Sequence, residues 1–291
     1  MAKIKFIVDS PSDIPKELVV KHDIKVIPTT IIMEDRSLLD YYDFTPQEFY
    51  SIFKKSPNVP TTAHATPNTF LNAYKEALEN GYEEIVVVTI NSLASGFYQS
   101  ALIAKSLLRE EMGDSSPRVE IIDSHLYTML YGAVVVIMAE MSESGKNINE
   151  LLAYANYHCP RIEAYAMFDT LEYIKRTGRI SSIAGFVGEI LDVKPIIHIG
   201  DSAVNAYGKI RGRKNIVPKL FSMMKEKISP DSEFIIIILG EEDAEIEHEM
   251  YQCVSSEYSN KRIITARIGG ALCINTGPNV FGFGFLGNAV K

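Results

Sequence analysis

The chain has 291 residues, 46% of them hydrophobic and 23% charged, so it can bury a large core and does not have the composition of a disordered protein. Its formal net charge of -8 argues against a general nucleic-acid binder. Cys159, Cys253 and Cys273 lie far apart with no CxxC pair, which argues against both a disulfide framework and a zinc site.

The N-terminal half alternates strand and helix. A strand over Lys3–Val8 starts the chain without a signal-peptide layout. Asp13 ahead of Pro15 reads as the start of a short helix, Lys16–Lys21. A second strand is expected over Lys25–Met33, and Thr45-Pro46-Gln47-Glu48 is a capping box opening a helix over Pro46–Lys54. Thr66-Pro67 opens another helix, which Gly81 closes.

The stretch from Ile85 to Ser100 is the most informative. A β-branched apolar run, Ile85-Val86-Val87-Val88, suits a strand buried on both faces. It passes through Asn91, Ser92, Ser95 and Gly96 into helical spacing at Ala101, Leu102 and Leu108. Free N–H groups at such a helix start attract an anion, with Ser95 adding a hydroxyl and Gly96 allowing close approach to the backbone. The alternative is an ordinary turn with Ser95 as the N-cap. A strand over Arg118–Asp123, an apolar helix near Met129–Met141 and a helix capped by Asn147 and Glu150 follow. The apolar stretch is too short to span a bilayer, and a cytoplasmic protein is expected.

The second half is expected to be α+β. It reads as a strand over Glu163–Phe168, a short helix over Leu171–Arg176, a helix over Ile183–Leu191 and a hairpin of Pro195–Ile199 with Val204–Lys209 turning at Gly200-Asp201-Ser202. Helices near Asn215–Lys227 and Ala244–Ser256 alternate with strands Glu233–Leu239 and Arg262–Ile268. Gly269 to Asn279 reads as a glycine-rich loop, and Val280–Phe285 closes the sheet. The fold class is thus α/β in two domains: residues 1–163 with a mainly parallel sheet, and residues 164–291 α+β.

Small polar residues cluster where strands end, at Asp9-Ser10, Thr61-Thr62, Ser92/Ser95-Gly96 and Asp123-Ser124. The carboxyl ends of parallel strands are the usual ligand rim, and several hydroxyls there suit a small anionic head group. Asp9 and Asp123 could instead cap the segments that follow them. His64, between Thr62 and Thr66, is the one histidine inside a candidate site. No histidine has metal-ligand spacing, and neither a Walker loop nor a GxGxxG turn is present, so no metal and no nucleotide is expected. Lys209, Arg211, Arg213, Lys214 and Lys219 form a basic patch, read either as a solvated helix start or as a docking surface for an acidic partner or phosphate.

Taken in order, several short motifs resemble the DegV family over essentially the whole length. They are Val8-Asp9-Ser10 with Asp13, Thr62 to Pro67, Ser95-Gly96 with Tyr98-Gln99-Ser100-Ala101, and Ile122-Asp123-Ser124. Further on come Leu171-Glu172-Tyr173-Ile174-Lys175-Arg176 with Gly178-Arg179-Ile180-Ser181, Lys194-Pro195-Ile196-Ile197, Arg211-Gly212-Arg213 and Gly277-Pro278. The studied members of that family are fatty-acid-binding subunits of a fatty acid kinase.

The resemblance implies a non-enzymatic carrier with no cofactor, holding a long-chain fatty acid in an apolar tunnel. A separate kinase subunit would phosphorylate the carboxylate, and the acyl phosphate would feed phospholipid synthesis. Thr62 and Ser95 look like the head-group hydroxyls, with Gly96 beside them. Asn275 stands where the family carries a histidine; its amide can still donate to a carboxylate but holds no charge. His64, Ser92 and Arg179 are accessory candidates, with His64 placed to supply the missing imidazole. Arg211 and Arg213 look like the docking side. Two alternatives stand beside this reading: a lipid- or acid-binding module uncoupled from the kinase, and a phosphotransferase similar to dihydroxyacetone kinases.

Overall fold

The computed structural model describes residues 2–178, 193–200 and 203–288. In chain order, β1 (Ile4–Asp9), α1 (Lys16–Lys21), β2 (Lys25–Ile27), β3 (Thr30–Ile32) and β4 (Ser37–Leu39) come first. Next are α2 (Pro46–Lys55), β5 (Thr61–Ala63), α3 (Pro67–Glu79), β6 (Glu84–Thr89), α4 (Phe97–Met112), β7 (Arg118–Asp123), α5 (Met129–Glu143) and α6 (Ile148–His158). The second half contains β8 (Ile162–Phe168), α7 (Glu172–Arg176), β9 (Val193–Gly200), β10 (Ala203–Arg211), α8 (Ile216–Lys227) and β11 (Phe234–Leu239). It ends with α9 (Ala244–Glu257), β12 (Arg262–Arg267), α10 (Gly270–Thr276) and β13 (Val280–Leu286). The helix expected over Ile183–Leu191 and the turn residues Asp201 and Ser202 lie outside the described residues.

The first sheet is parallel throughout, in the order β2-β1-β6-β7. Its central strands are buried on both faces, as the Ile85–Val88 run anticipates. The second sheet is mixed, in the order β10-β9-β8-β13-β11-β12, with only β11 and β12 parallel. Its β13 does not lie at an edge: it inserts between β8 and β11, antiparallel to both. One face of this sheet packs on α8 and α9 through Phe281, Phe283 and Phe285. The opposite face turns Ala166, Ile197, Ile236 and Ile238 toward the larger core, which also takes in Val8, Val87 and Leu130. Helix α5 is apolar nearly all round because it runs through that shared core, where solvent reaches almost none of its faces. Residue 163 lies within β8.

Three expectations are corrected. The strand anticipated over Lys25–Met33 is two strands, because Pro28 has no N–H to continue a ladder. Past it, Thr29 N–H donates to Ser10 Oγ, 3.0 Å away, and β3 joins a separate antiparallel sheet, β4-β3-β5. Asp13 does not start α1; Pro15 takes the N-cap position, and Asp13 turns inward with a φ of 50°. The glycine-rich tail is not a loop, since Gly270–Thr276 is helical. Its first N–H groups are satisfied by carboxylates from the other end of the chain: Gly269 N–H donates to Asp13 at 2.8 Å and Gly270 N–H to Asp40 at 3.0 Å.

Candidate functional site

The loop between β6 and α4 is pinned by groups at the ends of the neighbouring strands. Asp9, at the end of β1, accepts the Ile90 N–H at 2.9 Å, and Asp123, at the end of β7, accepts the Ser92 N–H at 3.2 Å and the His125 N–H at 3.0 Å. Asn91 takes the Leu93 N–H on its side-chain oxygen at 2.9 Å, and its own N–H donates to the Leu126 carbonyl. These bonds hold Ser95 and Gly96 at the start of the 16-residue helix α4. Its N-cap is Gly96 rather than Ser95, and no side chain caps its first turn. The N–H groups and dipole at that end are therefore available to a negative or hydrogen-bond-accepting group.

Thr62 arrives from β5, where it is paired with the fully buried Ile31 of β3. His64 follows just beyond the strand and lies against Gly96, with its ring edge-on to Phe97 at 6.1 Å between centroids. Thr62, His64, Ser95, Gly96 and Asn275 all line one cavity of about 200 Å³. Its remaining walls are largely apolar: Phe168 and Ile174, Ile199 and Val204, Ile238 and Val280, with Ala271 and Leu272 from α10. Both halves of the chain contribute. No Lys, Arg, Asp or Glu occurs among the described lining residues.

Asn275 donates through Nδ2 to the Ala271 carbonyl at 2.8 Å, so part of the donor capacity expected for the head group is used within α10. Ser92 is not a lining residue; its backbone is held by Asp123. Arg179 lies outside the described residues. Arg211, the last residue of β10, and Arg213 just beyond it are exposed and not among the lining residues, and Arg213 is paired with Asp243 and Glu245 at 2.6 and 3.4 Å.

Behind the site lie three buried carboxyls, Asp9, Asp13 and Asp40. Burial is the main reason all three are raised above the ordinary range, Asp9 to about 7 despite hydrogen bonds from Tyr131 and Ile90. Asp13 accepts the Thr128 hydroxyl at 2.6 Å, and Asp40 accepts the Ser10 hydroxyl at 2.7 Å. Asp13 and Asp40 thereby fix α10, which carries Leu272 and Asn275, to the N-terminal half. The visible signal was the polar pair Asp9-Ser10 at a strand end; nothing in the sequence linked Asp13 or Asp40 to Gly269 and Gly270. Among the described residues no three His, Cys, Asp or Glu side chains group so as to hold a metal, and no helix is long and apolar enough to cross a membrane.

The sequence profile of the DegV family, described as an uncharacterised protein family, matches residues 3–288. A DegV domain-containing protein of Caldanaerobacter subterraneus is 30% identical over 98% of this chain and 99% of its own length. A fatty acid-binding protein of Thermotoga maritima is 27% identical over 97% of both chains. Among solved structures, a stearic acid-binding protein from Eubacterium ventriosum superposes with a TM-score of 0.85 at 25% identity, covering 99% of this chain and 98% of the other. Matched from end to end by the profile and by relatives of the same length, this chain belongs to the DegV family.

Proposed function

We propose that this chain binds a long-chain fatty acid at the seam between residues 1–163 and residues 164–291, and presents its carboxyl to a separate fatty acid kinase. The observation that carries the reading is a cavity with largely apolar walls, free of Lys, Arg, Asp and Glu among its described lining residues, onto which Thr62, His64, Ser95 and the uncapped start of α4 all open. The head group lies at that end, with Asn275 as a further contact, and the chain runs between β8, β9, β11 and α10. Each methylene taken out of water into the cavity contributes ~0.8 kcal/mol of gross driving force, before ordering costs. Apolar contact therefore dominates affinity, and the polar end selects the head. The chain itself does no chemistry in this reading. Arg211 is the exposed candidate for kinase docking, whereas Arg213 already has acidic partners within the chain.

Two measurements test the proposal. Mass spectrometry of solvent extracts from the purified protein should find a fatty acid in near-stoichiometric amount, and the stripped protein should rebind it in a calorimetric titration. A stripped protein that takes up no long-chain acid rules the reading out. With binding established, ATP turnover by a fatty acid kinase should require this chain, and Arg211→Ala should reduce turnover while leaving fatty acid affinity intact. Turnover indifferent to the presence of this chain would leave a binding module uncoupled from a kinase.

A further inference from the structure

We propose that Tyr127 is a third hydroxyl of the head-group site, donating through its phenol to the carboxyl that Thr62 and Ser95 also meet. The inference rests on the reading of the cavity as a fatty acid site and adds a residue that selects the acid head. Tyr127 lies in the loop between β7 and α5, is only partly buried and lines the cavity. Its sequence context gives no sign of this role, because an aromatic residue just before an apolar helix reads as core.

The backbone holds Tyr127 from both sides. Ahead of it, the Leu126 carbonyl accepts the Asn91 N–H at 3.0 Å, and the Leu126 N–H donates to Ser124 Oγ at 3.1 Å. Behind it, Thr128 has a φ of 49° and a ψ of -152°, a conformation that a β-branched residue adopts only under constraint, and its hydroxyl bonds Asp13. A side chain between two such anchors is preorganised. The phenol meets the side chain of the fully buried Asn91. The Asn91 carbonyl in turn takes the Ala94 N–H at 3.0 Å, so the turn that carries Ser95 folds back over Asn91 and places the phenol and the Ser95 hydroxyl at the same end of the cavity.

The chemistry of a phenol suits an acid head. Its oxygen accepts while its hydrogen donates, so the contact with Asn91 leaves it able to bond a ligand. Burial pushes the Tyr127 phenol up to about 12, so it keeps its proton and stays a donor at neutral pH. Among the described lining residues no Lys or Arg supplies a full positive charge, and a carboxylate there depends on neutral donors of this kind.

The test is Tyr127→Phe, which removes one oxygen and keeps the ring. Displacement of a bound fluorescent fatty acid from the full-length stripped protein should show palmitic acid held about tenfold more weakly by the variant than by wild type, the size of loss for a hydrogen bond to a charged head. Bromohexadecane has a chain of the same length and no strong acceptor, so its affinity should be the same for both proteins. Comparing each ligand between the two proteins cancels the different solubilities. The carboxyl NMR resonance of bound, isotopically labelled palmitic acid should also move in the variant, because the head has lost a partner. Unchanged affinity for palmitic acid, an equal loss for both ligands, or an unmoved resonance each overturns the inference. A wild-type protein that binds no palmitic acid would instead remove the fatty acid reading itself, and the inference with it.

Discussion

Gly96 leaves open the space that the His64 ring occupies: a Cβ on Gly96 would lie 2.5 Å from both Cε1 and Nε2 of His64. The two residues come from different strand ends and meet at the polar end of the cavity, where Gly96 also begins α4. The need for glycine here is one of close approach, since its φ of -80° is open to any residue.

Gly96→Ala should therefore displace the imidazole and weaken fatty acid binding, while costing little in backbone strain. Adding His64→Ala restores room for the methyl group. The double variant should thus lose much less than the sum of the single changes in calorimetric affinity, because the two residues share one contact. Additive losses would show that the contact plays no part in binding.

Thr62→Ala and Ser95→Ala should each weaken binding of a fatty acid by about 1–3 kcal/mol, the range for leaving a partly buried polar head without one of its partners. Neither change removes apolar wall, so affinity should keep its steep dependence on acyl length. Isothermal titration with a series of acids reads both quantities, and unchanged dissociation constants for both variants would displace the head group from this end.

Stability should depend on Asp9 through pH. Its carboxyl is held at about 7 when folded, chiefly by desolvation, against 3.8 as the ordinary value. Between roughly pH 4 and 7 the folded state binds a proton that the unfolded state has released, so stability falls as pH rises through this window and levels off above it. The change attributable to Asp9 is on the order of 4 kcal/mol. Asp13 and Asp40, also raised by burial, push in the same direction. Chemical denaturation across this range should show a shallower decline for Asp9→Asn, which keeps the shape and removes the ionisation. An identical slope in wild type and variant would mean that Asp9 does not carry the effect.

The link between the first and last parts of the chain should be equally sensitive. Asp13→Ala strips partners from Thr128 Oγ1 and Gly269 N–H, and Asp40→Ala strips them from Ser10 Oγ and Gly270 N–H. Each should destabilise the fold by about 2–5 kcal/mol, since several buried donors are left unpaired at once. Hydrogen exchange should show the loss concentrated in α10. Protection there equal to wild type would mean that the helix holds its place without them.

Local chemistry was enough for much of this molecule. The capping boxes at Thr45–Glu48 and Asn147–Glu150 form as their spacing indicates, because an N-cap is satisfied within four residues. The buried run before Ser95 is the strand it reads as, and Ser95, Gly96, Thr62 and His64 could be picked out because small polar residues had gathered at strand ends. Folding alone decided what depended on distant partners. Helix α10 is invisible in a glycine-rich string because the carboxyls that satisfy its first N–H groups lie more than 200 residues away, at Asp13 and Asp40. The place of β13 inside its sheet and the meeting of His64 with Gly96 are of the same kind. A sequence shows which groups can bond, but long-range packing decides which of them meet.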